Sequence, residues 1–310
     1  MKKLLCKLLI FAIIVFVLDR GISALLQRGL DRYYGLDKQA SVLCIGHSHT
    51  MLGIDGTRLE QGLGVPVAKY AVNGANTIDR LAMIRHYLGS RPGAVKLVIY
   101  DVDDHTFTSS GLSSNSYRLF FPYLDNPDIA RFLKESAGSW DELLSRRIVT
   151  LLRYNSVTLN LALRGTLRRY DNFKTGQVDI PALQNEIKAN QRPPITIDQK
   201  MIDSFRETVS FVRENNGQLV LLYIPTVDLV NNVDKVRHEQ VMDIFKNYAA
   251  QDKGITVLDY NPSFSHRYEL FSDPIHLNRN GQHAVTDKAL IDLKKILLTE
   301  KSERCKVKGK

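Results

Sequence analysis

Residues able to do chemistry follow a short apolar run near the start of the chain. In "SVLCIGHSHT", residues 41–50, the run stops at Gly46 and is followed by His47, Ser48 and His49. A short run rich in Val, Leu and Ile that ends at a glycine predicts a buried strand and a sharp turn. Polar side chains at the carboxyl end of such a strand lie where open α/β sheets build their sites. Serine is a weak nucleophile alone, so Ser48 becomes a candidate only if a base reaches it.

A candidate base with a carboxylate partner lies near the other end of the chain. In "FSDPIHLNRNGQHA", Asp273 and His276 are three residues apart. A turn of that length brings the carboxylate onto the imidazole, where it fixes the tautomer and stabilises the imidazolium that forms on proton uptake. The carboxyl ends of parallel strands share one rim of a sheet. Ser48 and His276 are therefore expected to meet there if the first and last strands belong to one parallel sheet.

The elements between these two stretches alternate. Five apolar runs predict strands at 41–46, 67–72, 96–102, 218–225 and 255–260. Helical periodicity predicts helices at 77–88, 197–215, 235–250 and 279–298. Strands that alternate with helices indicate a parallel sheet covered on both faces. The predicted fold class is α/β, a three-layer α/β/α domain over residues 41–298 with a five-stranded parallel sheet.

A helical insert at about 105–195 interrupts the alternation after the third strand. Ser139 and Glu142 form a capping-box pattern that predicts a helix over 139–154. Its apolar face would consist of Leu143, Ile148, Leu151 and Leu152. A second helix is expected over 159–170, followed by a proline-rich loop. The insert could serve as a lid, a partner surface or simple packing, and its arginines are interpreted as a solvated face.

The first 26 residues form an apolar leader with a basic start. An unbroken apolar stretch runs from Leu8 to Leu18, and the whole leader is near the lower limit for crossing a bilayer. Small residues suited to signal cleavage occur only at Gly21 and Ser23, behind two charges, so an uncleaved anchor is favoured over a signal peptide. The lysines before the apolar stretch predict a cytoplasmic amino end. The expected location is the inner membrane, with one span, a linker at 27–40 and a periplasmic body.

Composition excludes some classes of function. The chain has 310 residues and a formal net charge of +9. Seven of those charges lie at the two ends, three at Lys2, Lys3 and Lys7 and a net four in the last ten residues of the basic tail 299–310, so the body is close to neutral. A nucleic-acid-binding protein needs a basic face on its folded part, so no nucleic-acid partner is expected. Three cysteines make no disulfide framework.

The motifs together resemble the SGNH (GDSL-like) hydrolase superfamily. "IGHSH" is similar to the G-D-S turn that holds the family's nucleophile, and "DPIHLNRNG" is similar to its D-x-x-H and the following H-x-N-x-x-G. "YAVNGANT" resembles the block whose glycine amide faces the oxyanion. The resemblance implies Ser48 as nucleophile, His276 as base and Asp273 as its orienting carboxylate. It also implies an oxyanion hole formed by the backbone N–H groups of Ser48 and Gly74.

Two residues depart from the family pattern. His47 stands where the family has Asp, and Asp103, in "YDVDDHTF", stands where it has an amide-donating Asn. A carboxylate would repel the oxyanion, and loss of one donor costs about a hundredfold or more in rate. Asp103 could be protonated or point away, or Asn76 or Asn73 could supply the amide, of which Asn76 is favoured because it closely follows Gly74. The expected pocket residues are His47, His49, Asn73, Asp103 and His105.

The resemblance implies acyl-ester chemistry through an acyl-Ser48 intermediate. Membrane-anchored relatives resemble enzymes that add or remove O-acetyl groups on cell-envelope polysaccharides. The implied substrate is therefore an acylated carbohydrate, the implied partner is a membrane acyltransferase, and no cofactor is expected. Hydrolase and O-acyltransferase share the acyl-enzyme and differ in whether water or a sugar hydroxyl attacks it.

Two other functions stay open on the sequence. The first is a metal-dependent hydrolase, with a site drawn from His47, His49, Asp101, Asp103, Asp104 and His105. The second is a non-catalytic polysaccharide-binding or assembly protein on a degenerate hydrolase scaffold, which the altered donor block at Asp103 favours. The serine mechanism is preferred, with no metal, because the metal hypothesis leaves the Asp273 and His276 motif unexplained.

Overall fold

A five-stranded parallel sheet forms the centre of the protein. The computed structural model describes residues 1–108, 116–136 and 139–308, with side chains up to residue 298. The strands are β1 (Val42–Gly46), β2 (Val67–Ala71), β3 (Leu97–Val102), β4 (Gln218–Tyr223) and β5 (Ile255–Asp259). Their order across the sheet is β2-β1-β3-β4-β5, and all neighbours are parallel. The fold class predicted from the alternation is confirmed, and every strand lies within two residues of its predicted bounds.

Thirteen α-helices are present in the described part of the chain, together with 3₁₀ helices at Ser116–Tyr123, Thr150–Arg153 and Tyr268–Leu270. The α-helices are α1 (Lys2–Tyr34), α2 (Ser48–Gly53), α3 (Gly56–Leu63), α4 (Thr77–Ser90), α5 (Pro127–Ser136), α6 (Trp140–Ile148), α7 (Ser156–Thr166), α8 (Ile180–Lys188), α9 (Gln199–Glu214), α10 (Asp228–Asn231), α11 (Lys235–Gln251), α12 (Asn261–Phe264) and α13 (Arg279–Lys308).

Side chains alternate along the strands and build one core on each face of the sheet. Leu43 and Ile45 pack with the end of α1 and with α4, α5, α9 and α11. Val42 and Cys44 point the other way and pack with α3, α8, α12 and α13. A parallel sheet buried on both faces needs such continuous apolar strands. The carboxyl ends of all five strands consequently share one rim.

The leader does not end in a separate linker. Helix α1 is continuous over 33 residues and stops at Gly35, which takes a left-handed conformation with φ of 72°. Its first part is exposed through Leu18, whereas Leu30 and Tyr34 are buried in the core. Residues 27–34, expected as a linker, are the last turns of this helix, and they pack on α7. The structure therefore joins the apolar leader rigidly to the body.

Two other predicted helices differ in extent. The helix expected over 139–154 is divided into α6 and the 3₁₀ helix, and of its expected apolar face Leu143 is buried whereas Ile148 and Leu152 are exposed. Helix α13 continues past the predicted end at residue 298 to Lys308, so the expected basic tail is largely helical; residues 309–310 lie outside the described part.

Close contact between α1 and α7 depends on Gly29. A Cβ atom at this position would lie 2.2 Å from the carbonyl oxygen of Ala162, too close to fit without moving a helix. Gly29→Ala should therefore destabilise the protein by about 1–3 kcal/mol, the usual cost of overpacking. The measurement is the thermal unfolding midpoint of the detergent-solubilised protein.

Gly21 provides the matched control in the same helix. A Cβ atom there meets nothing within 4 Å, and alanine has the higher helix propensity, so Gly21→Ala should leave the midpoint unchanged or raise it. Equal midpoints for the two variants would contradict the proposed tight packing of α1 on α7.

Candidate active site

Ser48 lies at the turn between β1 and α2. His47 is the residue before the helix, with φ of −106° and ψ of −143°, and Ser48 is the first helical residue. A Cβ atom on Gly46 would lie 2.6 Å from the Cβ of Asp101 on the neighbouring strand, so only glycine lets the chain turn this close to β3. The backbone N–H of Thr50 donates to the Asp101 carboxylate at 3.2 Å and fixes the turn.

The structure brings the two ends of the chain together at this turn. His276 Nε2 lies 2.9 Å from the Ser48 hydroxyl oxygen. On the other side of the ring, His276 Nδ1 lies 2.9 and 3.0 Å from the two carboxylate oxygens of Asp273. Because a carboxylate can only accept, Nδ1 carries the proton and Nε2 is free to accept the serine proton. Ser48, His276 and Asp273 thus have the geometry of a nucleophile, base and orienting carboxylate.

Lys174, from the insert, contacts the same carboxylate. Its Nζ lies 2.8 Å from Asp273 Oδ2 and 3.5 Å from His276 Nδ1. Burial would raise the pKa of Asp273, but hydrogen bonds from His276, Lys174 and the backbone N–H of Ile275 outweigh it and hold the pKa well below its usual range. The carboxylate therefore stays ionised under the histidine. Nothing in the sequence singled out Lys174, because the contact joins residues that are distant along the chain.

The H-x-N-x-x-G run holds the His276 loop in place. The Asn278 side chain donates to the backbone carbonyls of Glu269 and Gly176, and it accepts from the backbone N–H of Gly281 at 3.1 Å. A Cβ atom on Gly281 would lie 2.2 Å from the carbonyl oxygen of Leu270. The motif thus sets the position of the base rather than touching Ser48 itself.

The expected oxyanion donors lie on adjacent strand ends. Gly46 and Ala71 are paired in register, so Ser48 and Gly74 follow β1 and β2 at the same rim. Gly74 has φ of 73°, a conformation that glycine adopts most readily. Among the described residues, neither the Ser48 N–H nor the Gly74 N–H donates to a protein acceptor. Both donors are available to a substrate, and their role remains a prediction.

Asn76 has a structural role besides the one predicted. Its side-chain oxygen accepts from the backbone N–H of Asp79 at 3.0 Å, and the Asp79 carboxylate accepts from the Asn76 backbone N–H. This capping box begins α4. The cap uses the oxygen of the Asn76 amide and leaves its NH₂ group unused among the described residues, so the oxyanion role of Asn76 also stays a prediction. No contact tests the pocket role of Asn73.

Asp103 is turned onto the residue that precedes the nucleophile. Its Oδ2 lies 2.8 Å from His47 Nε2, and its Oδ1 accepts from the His105 backbone N–H at 2.9 Å and the Thr106 hydroxyl at 3.1 Å. His47 Nδ1 accepts from the backbone N–H of His49 at 3.1 Å, so His47 is the tautomer with its proton on Nε2. His47 therefore donates to Asp103. The two departures from the family pattern are partners of each other.

Of the three buried residues His47, His49 and Asp103, only Asp103 is charged near pH 7. Burial lowers the pKa of His47, and burial lowers the pKa of His49 to about 4, so both rings are neutral near pH 7. Burial opposes ionisation of Asp103, but the His47 hydrogen bond and the positive charge of Arg80 hold its pKa well below the usual range. Asp103 is thus an ionised carboxylate, which argues against the protonated form considered from the sequence.

Arg80 supplies the compensating positive charge, and it belongs to none of the sequence motifs. The side chain is fully buried, donating from Nη1 to the Asp101 carbonyl at 2.6 Å and from Nε to the Ala75 carbonyl at 3.1 Å. Burial raises the pKa of Asp101, the second carboxyl beside it. An arginine at a core-facing position of a predicted helix was the only available signal, and it does not identify its partners.

Only some of the six residues considered for a metal site lie close together in the structure. His47, His49 and Asp103 place ligand atoms within 4.8 Å of one another and could hold a metal ion. Asp104 is bonded instead to Tyr223 and His238, each at 2.6 Å. His105 contributes its backbone N–H to Asp103. Three of the six grouped residues thus form a ligand set.

The catalytic side chains are partly buried at the rim of the sheet. Ser48 is half-buried, and the side chains of His276 and Asp273 are 14% and 30% exposed. A cavity of about 400 Å³ has Met51, Lys69 and Gln282 among its lining residues, and none of the three catalytic side chains lines it.

Comparisons with known proteins find similarity of structure only. No protein-family model matches the chain, and no curated protein sequence matches it. One similar structure is a candidate acylhydrolase from Bacteroides fragilis, with 11% identity, a TM-score of 0.39, and coverage of 82% of this chain and 87% of that one. Another is a candidate lipolytic protein of the G-D-S-L family from Desulfitobacterium hafniense, with 15% identity, a TM-score of 0.37, and coverage of 80% and 97%.

Replacing Asp273 tests the orientation of the base. Asp273→Asn should slow covalent modification of Ser48 by a fluorophosphonate about 10³–10⁴-fold, because an amide cannot hold the proton on His276 Nδ1 as a carboxylate does. Lys174→Met leaves that carboxylate in place and should cause a smaller loss. Unchanged labelling of Asp273→Asn would contradict the assigned role.

Burial of neutral His49 predicts a loss of stability in mild acid. In the unfolded chain His49 takes up a proton below about 6.5, but in the folded protein its pKa is about 4. The unfolded state therefore binds more protons in this window, and folding stability should fall as pH drops from 6.5 to 4, by about 3 kcal/mol for this group. His49→Gln should flatten the dependence of urea unfolding on pH.

The control is His266→Gln, which removes a histidine whose side chain is 73% exposed. This variant should follow the wild-type pH dependence. If His49→Gln lost as much stability as the wild type between the two pH values, neutral burial of His49 would be refuted.

Proposed function

We propose that the protein is a membrane-anchored serine acyl-ester hydrolase or O-acyltransferase that acts on cell-envelope carbohydrate through an acyl-Ser48 intermediate. The observation that carries the proposal is the continuous chain of contacts from Ser48 through His276 to Asp273. Each side chain in it lies within hydrogen-bonding distance of the next without rearrangement. The departure from the family pattern at Asp103 does not disturb these three contacts, because the Asp103 carboxylate is hydrogen-bonded to His47.

The first half of the reaction uses these three groups in turn. The Ser48 oxygen attacks the acyl carbonyl carbon while His276 Nε2 takes the hydroxyl proton. Asp273 stabilises the imidazolium, and the N–H groups of Ser48 and Gly74 donate to the developing oxyanion. His276 then returns the proton to the leaving sugar oxygen, which departs as an alcohol. Ser48 is left as an ester.

The second half repeats the sequence with a new nucleophile. His276 removes a proton from water or from a sugar hydroxyl, and that oxygen attacks the acyl-serine carbonyl. Collapse of the intermediate restores the Ser48 hydroxyl, releasing a free acid in hydrolysis or a new ester in transfer. Both outcomes use the same residues, so the acceptor that reaches the acyl-serine decides between them.

A carbohydrate substrate is inferred from the family resemblance of the motifs. The catalytic group keeps some contact with solvent, since the side chains of Asp273 and His276 are 30% and 14% exposed and Ser48 is half-buried.

An uncleaved anchor is supported by the path of α1. The chain has one described helix apolar enough to span a membrane, with a mean hydropathy of 2.3 in its best window. Gly21 and Ser23, the small residues that could mark cleavage, lie inside this continuous helix, and Ser23 is buried. Cleavage there would cut an element whose later turns fill the core. The lysines at positions 2, 3 and 7 support a cytoplasmic amino end and an extracytoplasmic body.

A metal-dependent hydrolase is the second candidate, and the grouping of His47, His49 and Asp103 favours it. Their atoms are also bonded without an ion, since His47 donates to Asp103 and accepts from the His49 backbone. Activity that persists in a strong chelator would support the serine mechanism over the metal mechanism.

The test is covalent labelling of the full-length protein in detergent. A fluorophosphonate should label the wild type, and Ser48→Ala should abolish both labelling and the release of acetate from acetylated oligosaccharides, because the nucleophile is gone. Ser204→Ala, which removes an exposed hydroxyl on α9, is the matched control and should retain both.

Absence of labelling and of acetate release in the folded wild type would instead favour a non-catalytic binding protein. Adding an unacetylated oligosaccharide separates the two enzymatic forms: an O-acyltransferase acetylates it, whereas a hydrolase releases acetate at an unchanged rate.

A further inference from the structure

The exposed apolar part of α1 is too short to cross a bilayer by itself. The uninterrupted apolar stretch begins after Lys7; every residue from Leu8 to Leu18 is exposed, and at 1.5 Å per residue this segment spans about 17 Å. The hydrocarbon core of a bilayer is about 30 Å thick. Asp19 and Arg20 follow directly, and exposed charges there would end the membrane segment.

Both charges have partners in the protein. Asp19 is buried, with carboxylate oxygens accepting from the backbone N–H groups of Thr150 and Leu151, each at 2.9 Å, and from the Thr150 hydroxyl at 2.7 Å. The Arg20 side chain is 38% exposed and donates to the carbonyl oxygens of Arg147 and Ile148 at 3.3 and 3.2 Å. Charges that are paired and hydrogen-bonded to protein groups are the kind that a membrane interior tolerates.

The exposed face of α1 stays apolar after these charges. The exposed residues between Arg20 and the next exposed charge, Arg28, are Gly21, Ile22, Ala24 and Leu25. Measured from Leu8, the first residue after the charge of Lys7, to Leu25, the apolar face is about 27 Å long, which is close to the hydrocarbon thickness of about 30 Å.

The insert adds apolar residues at the same level. Its backbone contacts α1 at residues 19 and 20 through positions 147–151, and the Tyr154 hydroxyl donates to the Ser23 carbonyl at 2.9 Å. Four large apolar residues beside these contacts are exposed: Ile148, Val149, Leu152 and Val157. None of the described residues covers them, so in water they would add exposed apolar surface.

We propose that these four residues, together with Ile22 and Leu25, form a collar embedded in the lipid acyl chains. The proposal rests on the membrane anchoring in the proposed function and deepens it. The collar supplies the missing length of the span and is continuous with the apolar surface of α1. It also sets the body close against the bilayer, because the collar belongs to the body.

Residues further along α7 lie above the collar. A Cβ atom on Gly165 would lie 1.8 Å from the carbonyl oxygen of Gly29, and the Arg164 guanidinium lies over the Tyr33 ring. Leu167 therefore lies level with the last turns of α1, beyond Arg28. The Leu167 side chain is 61% exposed and that of Ile148 is 62% exposed. The two positions therefore have nearly the same exposure but lie at different distances from the proposed membrane segment.

Tryptophan quenching measures this difference directly. The chain has one tryptophan, exposed Trp140, so Trp140→Phe gives a silent background. Single tryptophans are then introduced as Val15→Trp, Ile148→Trp and Leu167→Trp, all at exposed sites that tolerate a larger side chain. The full-length variants are reconstituted into phosphatidylcholine vesicles with bromines placed at several depths along the acyl chains, and emission is compared with vesicles lacking bromine.

The expected result is loss of emission for Val15→Trp and Ile148→Trp and none for Leu167→Trp. Quenching at Val15 without quenching at Ile148 would overturn the collar and leave the anchor standing. Equal quenching at Ile148 and Leu167 would also overturn it, because the lipid boundary would then lie elsewhere.

Failure at Val15 would refute the anchor and the collar together. Fluorophosphonate labelling of Ser48 in the same preparations reports on the enzymatic half of the proposed function separately. A wild-type protein that is labelled although Ile148→Trp is unquenched would therefore show that the collar alone has failed.

Discussion

Contact between Ser48 and His276 depends on docking of the last helix against the turn after β1. The Gln282 side chain donates to the Leu52 carbonyl at 2.7 Å on α2 and to the Asn172 carbonyl at 2.6 Å on the insert. Asn278 holds the adjoining loop through three backbone groups. These bonds join the start of the domain, its insert and its end at one rim of the sheet. Without them the base would have no fixed position relative to the nucleophile.

Beneath the nucleophile, two unusual residues compensate each other. A carboxylate at Asp103 would be unfavourable beside a developing oxyanion, but it accepts from His47 and is balanced by buried Arg80. His47 in turn accepts from the His49 backbone, so it orients the chain on either side of Ser48. The hydrogen-bonded pair stabilises the turn, because buried polar groups stabilise a fold when their hydrogen bonds are satisfied.

Sequence patterns indicated the sheet and the Ser48, Asp273 and His276 set because both arise from local features. Buried strands are short apolar runs, and the motifs hold their spacing in a few residues. The position of Lys174 and the pairing of Asp103 with His47 arise from contacts between distant segments, which periodicity does not record. The same holds for Ile148: an apolar residue at helical spacing predicts burial, yet the Ile148 side chain is 62% exposed although Leu143 on the same expected face is buried.

The insert contributes both to the proposed lipid contact and to the catalytic site. Its early part carries Ile148 and the proposed lipid contact, and its later part carries Lys174, which contacts the carboxylate behind the base. Helix α7 connects these parts and is packed along α1. Exchange of the insert between related chains would therefore change two properties together: how the body sits on the membrane and the charge beside Asp273. Removal of the whole insert would abolish both contributions.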